Sequence, residues 1–301
     1  MRVAAETIHR SPSTTKVAGD VMPRLARWTA TRCLHTGRWA QVYQAHPAGR
    51  DANGGDYILK LARISDVRSS DSLLAQSLIA RERTVAQEVS HAHLVPVFDA
   101  DASDDAAWIV EPSCGTLTLR HFVEHASSLP QVLWQVRQGC EALAALHASG
   151  WLHGDVCPEN IVVTDEGHAT LIDLGFARRL GTAECDVYQS PFTGRTTYAA
   201  PEAFAQEGEL TSAADMYSIG VMLYELLAGD EPFAVYSGEE AIAAKKMLAP
   251  PDLRRLAPEL PFPLTNLVSR LLAREPLRRP TAKEAVEQLV ALEVETFGEW
   301  R

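Results

Sequence analysis

The sequence predicts an α+β fold, with strands gathered in its first third and helices filling the rest. Three observations predict it. From about residue 28 to 63, short apolar runs are separated by turn-forming residues. Residues of about 70 to 90 then switch to a helical period. From about 117 onward helical segments dominate, joined by Pro- and Gly-containing connections.

The elements follow in order. Residues 1–27 are polar, with Ser11-Pro12-Ser13-Thr14-Thr15 and no periodicity, and are expected to form a flexible leader. The strand-like region 28–63 is interrupted by Asp51-Ala52-Asn53-Gly54-Gly55, a strong turn signal. In the first helix Leu74, Leu78 and Val85 share one face and charges occupy the other. Two further strands are expected at Val95–Asp99 and Ala107–Glu111, and helices at Leu133–Ser149 and Ala213–Ala228. No internal repeat is present.

Composition narrows the function classes. Lys plus Arg number 28 against 39 Asp plus Glu, a net charge of -11, and no basic block forms a phosphate-tracking surface, so nucleic acid is not an expected partner. No apolar run is long enough to cross a membrane; the most apolar stretch, Ile219–Leu227, is short and broken by Glu225. Cys33, Cys114, Cys140, Cys157 and Cys185 are scattered and form no Cys-x-x-Cys pair, which implies a reducing, cytoplasmic compartment and no zinc site.

The chemistry is concentrated in two short stretches. Residues 153–160 read His-Gly-Asp-Val-Cys-Pro-Glu-Asn, and a short strand later comes Asp173-Leu174-Gly175. Asp155, Asn160 and Asp173 are the carboxylate and amide side chains that these stretches offer for acid–base work and for holding a hard metal ion. Upstream, Lys60 ends the apolar run Tyr57-Ile58-Leu59-Lys60, and Glu82 lies on the following helix ahead of His91-Ala92-His93-Leu94-Val95. Downstream stand Gly194-Arg195-Thr196-Thr197-Tyr198-Ala199-Ala200-Pro201-Glu202, then Asp215-Met216-Tyr217-Ser218-Ile219-Gly220, then Arg278-Arg279-Pro280.

In these motifs the chain resembles a eukaryotic-like protein kinase of the bacterial serine/threonine type, over roughly residues 28 to 292. The resemblance implies a bilobal fold, with a small mostly β lobe at about 28–111, a larger mostly α lobe at about 115–292, and a tail at 293–301. It implies ATP and Mg²⁺ as cofactors and a protein substrate, and leaves the oligomeric state open. By resemblance Lys60 grips the nucleotide phosphates, Glu82 orients Lys60, Asp155 is the base, and Asn160 with Asp173 holds metal. Gly37 belongs to the glycine-rich loop, Val42 and Val162 wall the adenine slot, and the Glu111 carbonyl with the Ser113 N–H reads the adenine edge. His153 is expected to be a packed structural histidine. Asp215 anchors the catalytic loop, and Arg279 pairs with Glu202.

The chain departs from the family pattern at positions that touch the nucleotide. Of three loop glycines only Gly37 remains, with His35 and Ala40 in the other places, although Trp39 keeps an aromatic at the tip. Ile58 stands where alanine is usual beneath the adenine, and Gly154 replaces an arginine that normally meets a phosphorylated activation segment. Ser190, Thr193, Thr196 and Thr197 are therefore expected to be incidental hydroxyls. Cys157 replaces a lysine that neutralises the transferred phosphoryl group, and Arg195 replaces a threonine. The expectation drawn from this pair is that the Arg195 guanidinium reaches the Asp155 region and supplies the missing charge. The departures also define an alternative, a pseudokinase that binds nucleotide or docks partners without transfer.

Overall fold

In the computed structural model the described residues are 24–25, 27–50, 57–64, 69–103, 106–115, 117–124, 128–181, 195–205 and 210–297. The first layer is a sheet built from β1 (Arg24–Leu25), β2 (Trp28–Thr36), β3 (Ala40–Pro47), β4 (Tyr57–Ala62), β5 (Asp99–Ser103) and β6 (Ala106–Pro112), in the spatial order β1-β2-β3-β4-β6-β5. The pairings β1–β2, β2–β3, β3–β4, β4–β6 and β5–β6 are antiparallel, so each strand can bury one face and leave the other to solvent. One face carries Trp28, Tyr43, Leu59, Trp108 and Val110; the other packs Ala62 and Ile109 against Ala75 and Ile79 of helix α1 (Ser70–Glu88). The Ser69 hydroxyl caps α1 by accepting the Ser72 amide at 3.2 Å.

The second layer is mostly helical. It comprises β7 (Leu117–Thr118), α2 (Leu119–Glu124), α3 (Leu129–Ala148), β8 (Trp151–Leu152), β9 (Ile161–Val163), β10 (Ala169–Leu171), β11 (Arg178–Arg179), α4 (Ala213–Ala228), α5 (Gly238–Met247), α6 (Leu253–Leu256), α7 (Phe262–Leu271) and α8 (Ala282–Phe297). Its core is contiguous from Leu133, Val136 and Leu143 of α3 through Met216, Ile219 and Leu223 of α4 to Leu267 and Leu271 of α7. Helix α4 is buried along most of its length, as its near-continuous apolar run requires. The small antiparallel ribbons β9–β10 and β8–β11 lie at the junction of the two layers and carry the turns from which the site is built.

The bilobal α+β architecture agrees with expectation, with corrections at element ends. Arg24 and Leu25 pair with Thr29 and Trp28, so the sheet begins inside the stretch read as leader; residues 1–23 lie outside the described residues. The strand expected at Val95–Asp99 lies instead at Asp99–Ser103. Val95 is buried, but its amide bonds the Leu171 carbonyl at 3.0 Å, across the junction and not in the sheet. Helix α8 runs to Phe297, past the expected domain end at 292. The turn expected at 51–55 is outside the described residues. No helix among the described residues is long and apolar enough to cross a membrane.

Candidate active site

Lys60 leaves β4 on the same sheet face that receives α1, and α1 brings Glu82 to meet it. The Lys60 amine lies 2.6 Å from Glu82 Oε1, with both residues buried. The same Glu82 oxygen accepts the Leu174 amide at 3.1 Å, so one carboxylate ties the lysine to the turn that holds Asp173. Burial works against the Lys60 charge, yet the Glu111, Glu82 and Asp173 carboxylates hold its ammonium well above the usual lysine range. A cavity of about 180 Å³ adjoins this pair, lined by Gly37, Trp39 and Val42 of the β2–β3 hairpin and by Lys60, Glu82 and Asp173. The hairpin closes with the Gly37 amide on the Ala40 carbonyl at 2.9 Å. Trp39 packs against the cluster formed with α1. A larger cavity, about 570 Å³ between α6 and α7, contains none of the predicted site residues and lies away from this chemistry.

The turn after β8 supplies the second set. Asp155 Oδ2 accepts the Asn160 side-chain amide at 3.0 Å, and Asp155 Oδ1 accepts the Arg195 backbone amide at 3.2 Å. Burial, reinforced by the Asp173 charge, raises the Asp155 carboxyl above its ordinary range, while the Arg195 amide opposes the shift. His153 is fully buried; its Nε2 meets the Ile172 carbonyl at 3.1 Å, and its Nδ1 accepts the Asp155 amide at 3.3 Å. Asp173 itself sits in the left-handed region at φ 67°, an uncommon conformation for a non-glycine residue and a form of strain that clusters at functional sites. Beneath the turn, buried Asp215 accepts the His153 and Gly154 amides at 2.8 and 2.9 Å and meets His147 Nε2 at 2.8 Å. Burial alone would raise the Asp215 carboxyl, but the His147 hydrogen bond, the His147 and His153 charges and the Gly154 amide hold it below the usual range.

These residues suit a hard divalent cation. The Asn160 amide nitrogen is committed to Asp155, which leaves its amide oxygen, with the Asp173 carboxylate, to face a metal. Oxygen donors of this kind are those Mg²⁺ prefers, and the Asp155 and Asp173 carboxyls lie close enough to act on each other, a repulsion that a cation would relieve.

Three departures now have a physical description. Gly154 adopts φ +80°, and a Cβ there would meet the Phe176 carbonyl oxygen at 2.5 Å, so an arginine at this position requires the backbone to move. Cys157 is fully buried, and burial pushes its thiol well above the ordinary range, which makes it a packing residue and not a reactive one. The Arg195 guanidinium pairs with Glu159, and from there its charge still acts on Asp155 and Cys157, while the direct contact with Asp155 is made by the Arg195 amide. Glu111, whose carbonyl is the group expected at the adenine edge, turns its side chain inward, with Oε2 3.2 Å from the Lys60 amine, and Ser113 is exposed just beyond β6. Val42 and Val162 are half-buried, as is Ile58, which is Glu111's partner in the β4–β6 ladder. Ser190, Thr193 and Gly194 lie outside the described residues.

Further groups escaped sequence reasoning. Arg120 pairs with Glu159, donates to Glu225 at 2.6 Å and to the Tyr198 hydroxyl at 2.6 Å, joining the catalytic turn to α4 and the Arg195–Tyr198 segment. Lys245 of α5 is buried and donates to the carbonyls of Thr196, Thr197 and Ala199. Both are long-range contacts made by single charged residues on otherwise ordinary helices, which leave no local pattern to read. Arg279 makes a bidentate pair with Glu202 at 2.5 and 2.8 Å.

The comparisons with known proteins come to the same place. Residues 28–290 match the family model described as "Protein kinase domain". Among similar proteins are the serine/threonine-protein kinase ULK3 of Xenopus laevis (29% identical, covering 87% of this chain and 54% of that protein) and PrkC of Bacillus subtilis (27%, 87% and 39%). The serine/threonine-protein kinase PknD of Mycobacterium tuberculosis is 30% identical over 82% of this chain and 37% of its own length. The chain thus spans about half the length of the first of these and less of the other two.

Proposed function

Because this chain belongs to the protein kinase domain family, we propose that it transfers the γ-phosphoryl group of ATP to serine and threonine hydroxyls of protein substrates. The observation that carries the reading is the buried Lys60–Glu82 pair whose carboxylate also takes the Leu174 amide. A phosphate grip, its orienting acid and the Asp173 turn are thereby held together before any ligand arrives, and positioning is most of what phosphoryl transfer asks of a protein.

Each residue has a role that its surroundings support. Lys60 presents a permanent ammonium to the α- and β-phosphates, and Glu82 fixes its direction. Asp155 accepts the proton of the attacking hydroxyl; its raised carboxyl range brings its basicity closer to that task, and the Asn160 and Arg195 donors fix its orientation. Mg²⁺, when bound by Asn160 and Asp173, supplies charge neutralisation on the transferred group. The segment Arg195–Tyr198, tied to Asp155, Glu159 and α5, is placed to carry the acceptor peptide past the base.

Intact-mass measurement of phosphate incorporation into a generic protein substrate with Mg²⁺ and ATP tests this reading, with Asp155→Ala alongside. Incorporation by the native chain and none by the variant is expected. No incorporation by the native chain, with nucleotide still bound, would favour the non-transferring alternative.

A further inference from the structure

The Glu111 side chain, as distinct from its carbonyl, has no role in the chemistry assigned above, yet it is a buried acid in contact with Lys60. It stands opposite Ile58 in the β4–β6 ladder, and Lys60 lies two residues further along β4, so all three side chains emerge on one face of the sheet. The Glu111 carboxylate is 3% exposed, and its oxygens lie 3.2 and 3.4 Å from the Lys60 amine. Glu82 approaches the same amine from α1 at 2.6 Å. Among the described residues Lys60 is the cation that both acids meet.

The charge balance is therefore unusual. A lysine paired with one glutamate is neutral and leaves N–H groups free for phosphate. Here two buried carboxyl groups share one ammonium, with Asp173 close enough to act on it as well, so the amine already has two acid partners before a nucleotide enters. A polyphosphate must draw the amine away from Glu111 or share it, and either way a buried carboxylate is left short of its partner.

We propose that Glu111 competes with the nucleotide's phosphates for the Lys60 amine and so sets the site's affinity for polyphosphate ligands. This rests on the nucleotide-binding reading above and adds to it a residue that weakens binding selectively: ligands with phosphates feel Glu111, and the bare nucleoside does not. The acid thereby makes occupancy depend on the cations that arrive with the nucleotide.

Calorimetric titration of the native chain, Glu111→Gln and Glu111→Met with Mg²⁺–ADP and, separately, with adenosine tests the proposal. Glutamine keeps the shape and a hydrogen-bonding group but removes the charge; methionine removes both and guards against a glutamine-specific effect. The expected result is that both variants bind Mg²⁺–ADP about tenfold more tightly than the native chain, while adenosine affinity moves by less than about twofold. Unchanged or weaker Mg²⁺–ADP binding, or an equal gain for both ligands, overturns the competition while leaving nucleotide binding intact. Failure of all three proteins to bind either ligand removes the nucleotide-binding reading and this proposal with it.

Discussion

At the residue scale, the turn that carries Asp155 is met by one residue, Arg195, through two different groups. The Arg195 guanidinium is held by Glu159, from where its charge acts on Asp155, and its backbone amide bonds Asp155 directly. Arg195→Ala therefore keeps the contact that orients the base, and turnover should fall by less than about tenfold, as for loss of a half-exposed ion pair. Arg195→Pro deletes the amide donor and should cost about tenfold more than the alanine change. Steady-state rates of the two variants decide the matter; an alanine variant as impaired as the proline one would return the role to the guanidinium. Lys60, Glu82, Asp155, Asn160 and Asp173 could be named as candidates because the family order singles them out. The Glu111 side chain was not, since a glutamate at a strand end gives no local sign that it will turn inward to a lysine 51 residues away.

At the element scale, what was legible followed periodicity. Helix α4 lies at Ala213–Ala228 as expected, because its long apolar run is buried nearly all round. Strand β5 was missed because Asp99-Ala100-Asp101-Ala102-Ser103 reads as a polar turn; it becomes a strand by pairing residue for residue with β6. Helix α5 carries the less visible device: Lys245, buried near the Tyr217 ring, secures three consecutive-region carbonyls of the Thr196–Ala199 segment. Burial lowers its ammonium to about 8, with the Glu231 charge opposing. Since this lies below the unfolded value, the unfolded chain binds the extra proton between about pH 8 and 10.5, and stability must rise with pH across that window. Denaturant midpoints at about pH 7.5 and 9.5 should show the native chain gaining stability relative to Lys245→Met at the higher pH. A gap that narrows or stays constant would contradict the assignment.

At the scale of the whole molecule, the site depends on charged contacts buried far from it. Asp215 fixes the backbone of the catalytic turn from within α4. Arg279 locks Glu202 and also donates to the carbonyls of Ala213, Ala273 and Arg274, so its planar fork joins the start of α4 to the segment that ends at Glu202. Lysine preserves the charge but cannot reproduce that fork, so Arg279→Lys should lower folding stability by about 2 kcal/mol in chemical denaturation. An unchanged midpoint would contradict a structural role for the fork. Such pairings span 61 to 77 residues and are invisible to local pattern; only the ordered motif set made them readable. The two-layer architecture was legible in the same way. Strands early and helices late gave the fold class, and family resemblance gave the arrangement that sets the Lys60–Glu82 pair against the Asp155 turn.

The most direct measurement of the central claim is phosphoamino-acid analysis after reaction of the native chain and Asp155→Ala with γ-labelled ATP, Mg²⁺ and a protein substrate. The site built from Lys60, Glu82, Asp155, Asn160 and Asp173 predicts label in phosphoserine and phosphothreonine with the native chain and none with the variant. Label that survives loss of the Asp155 carboxylate, or no label despite bound nucleotide, would contradict it.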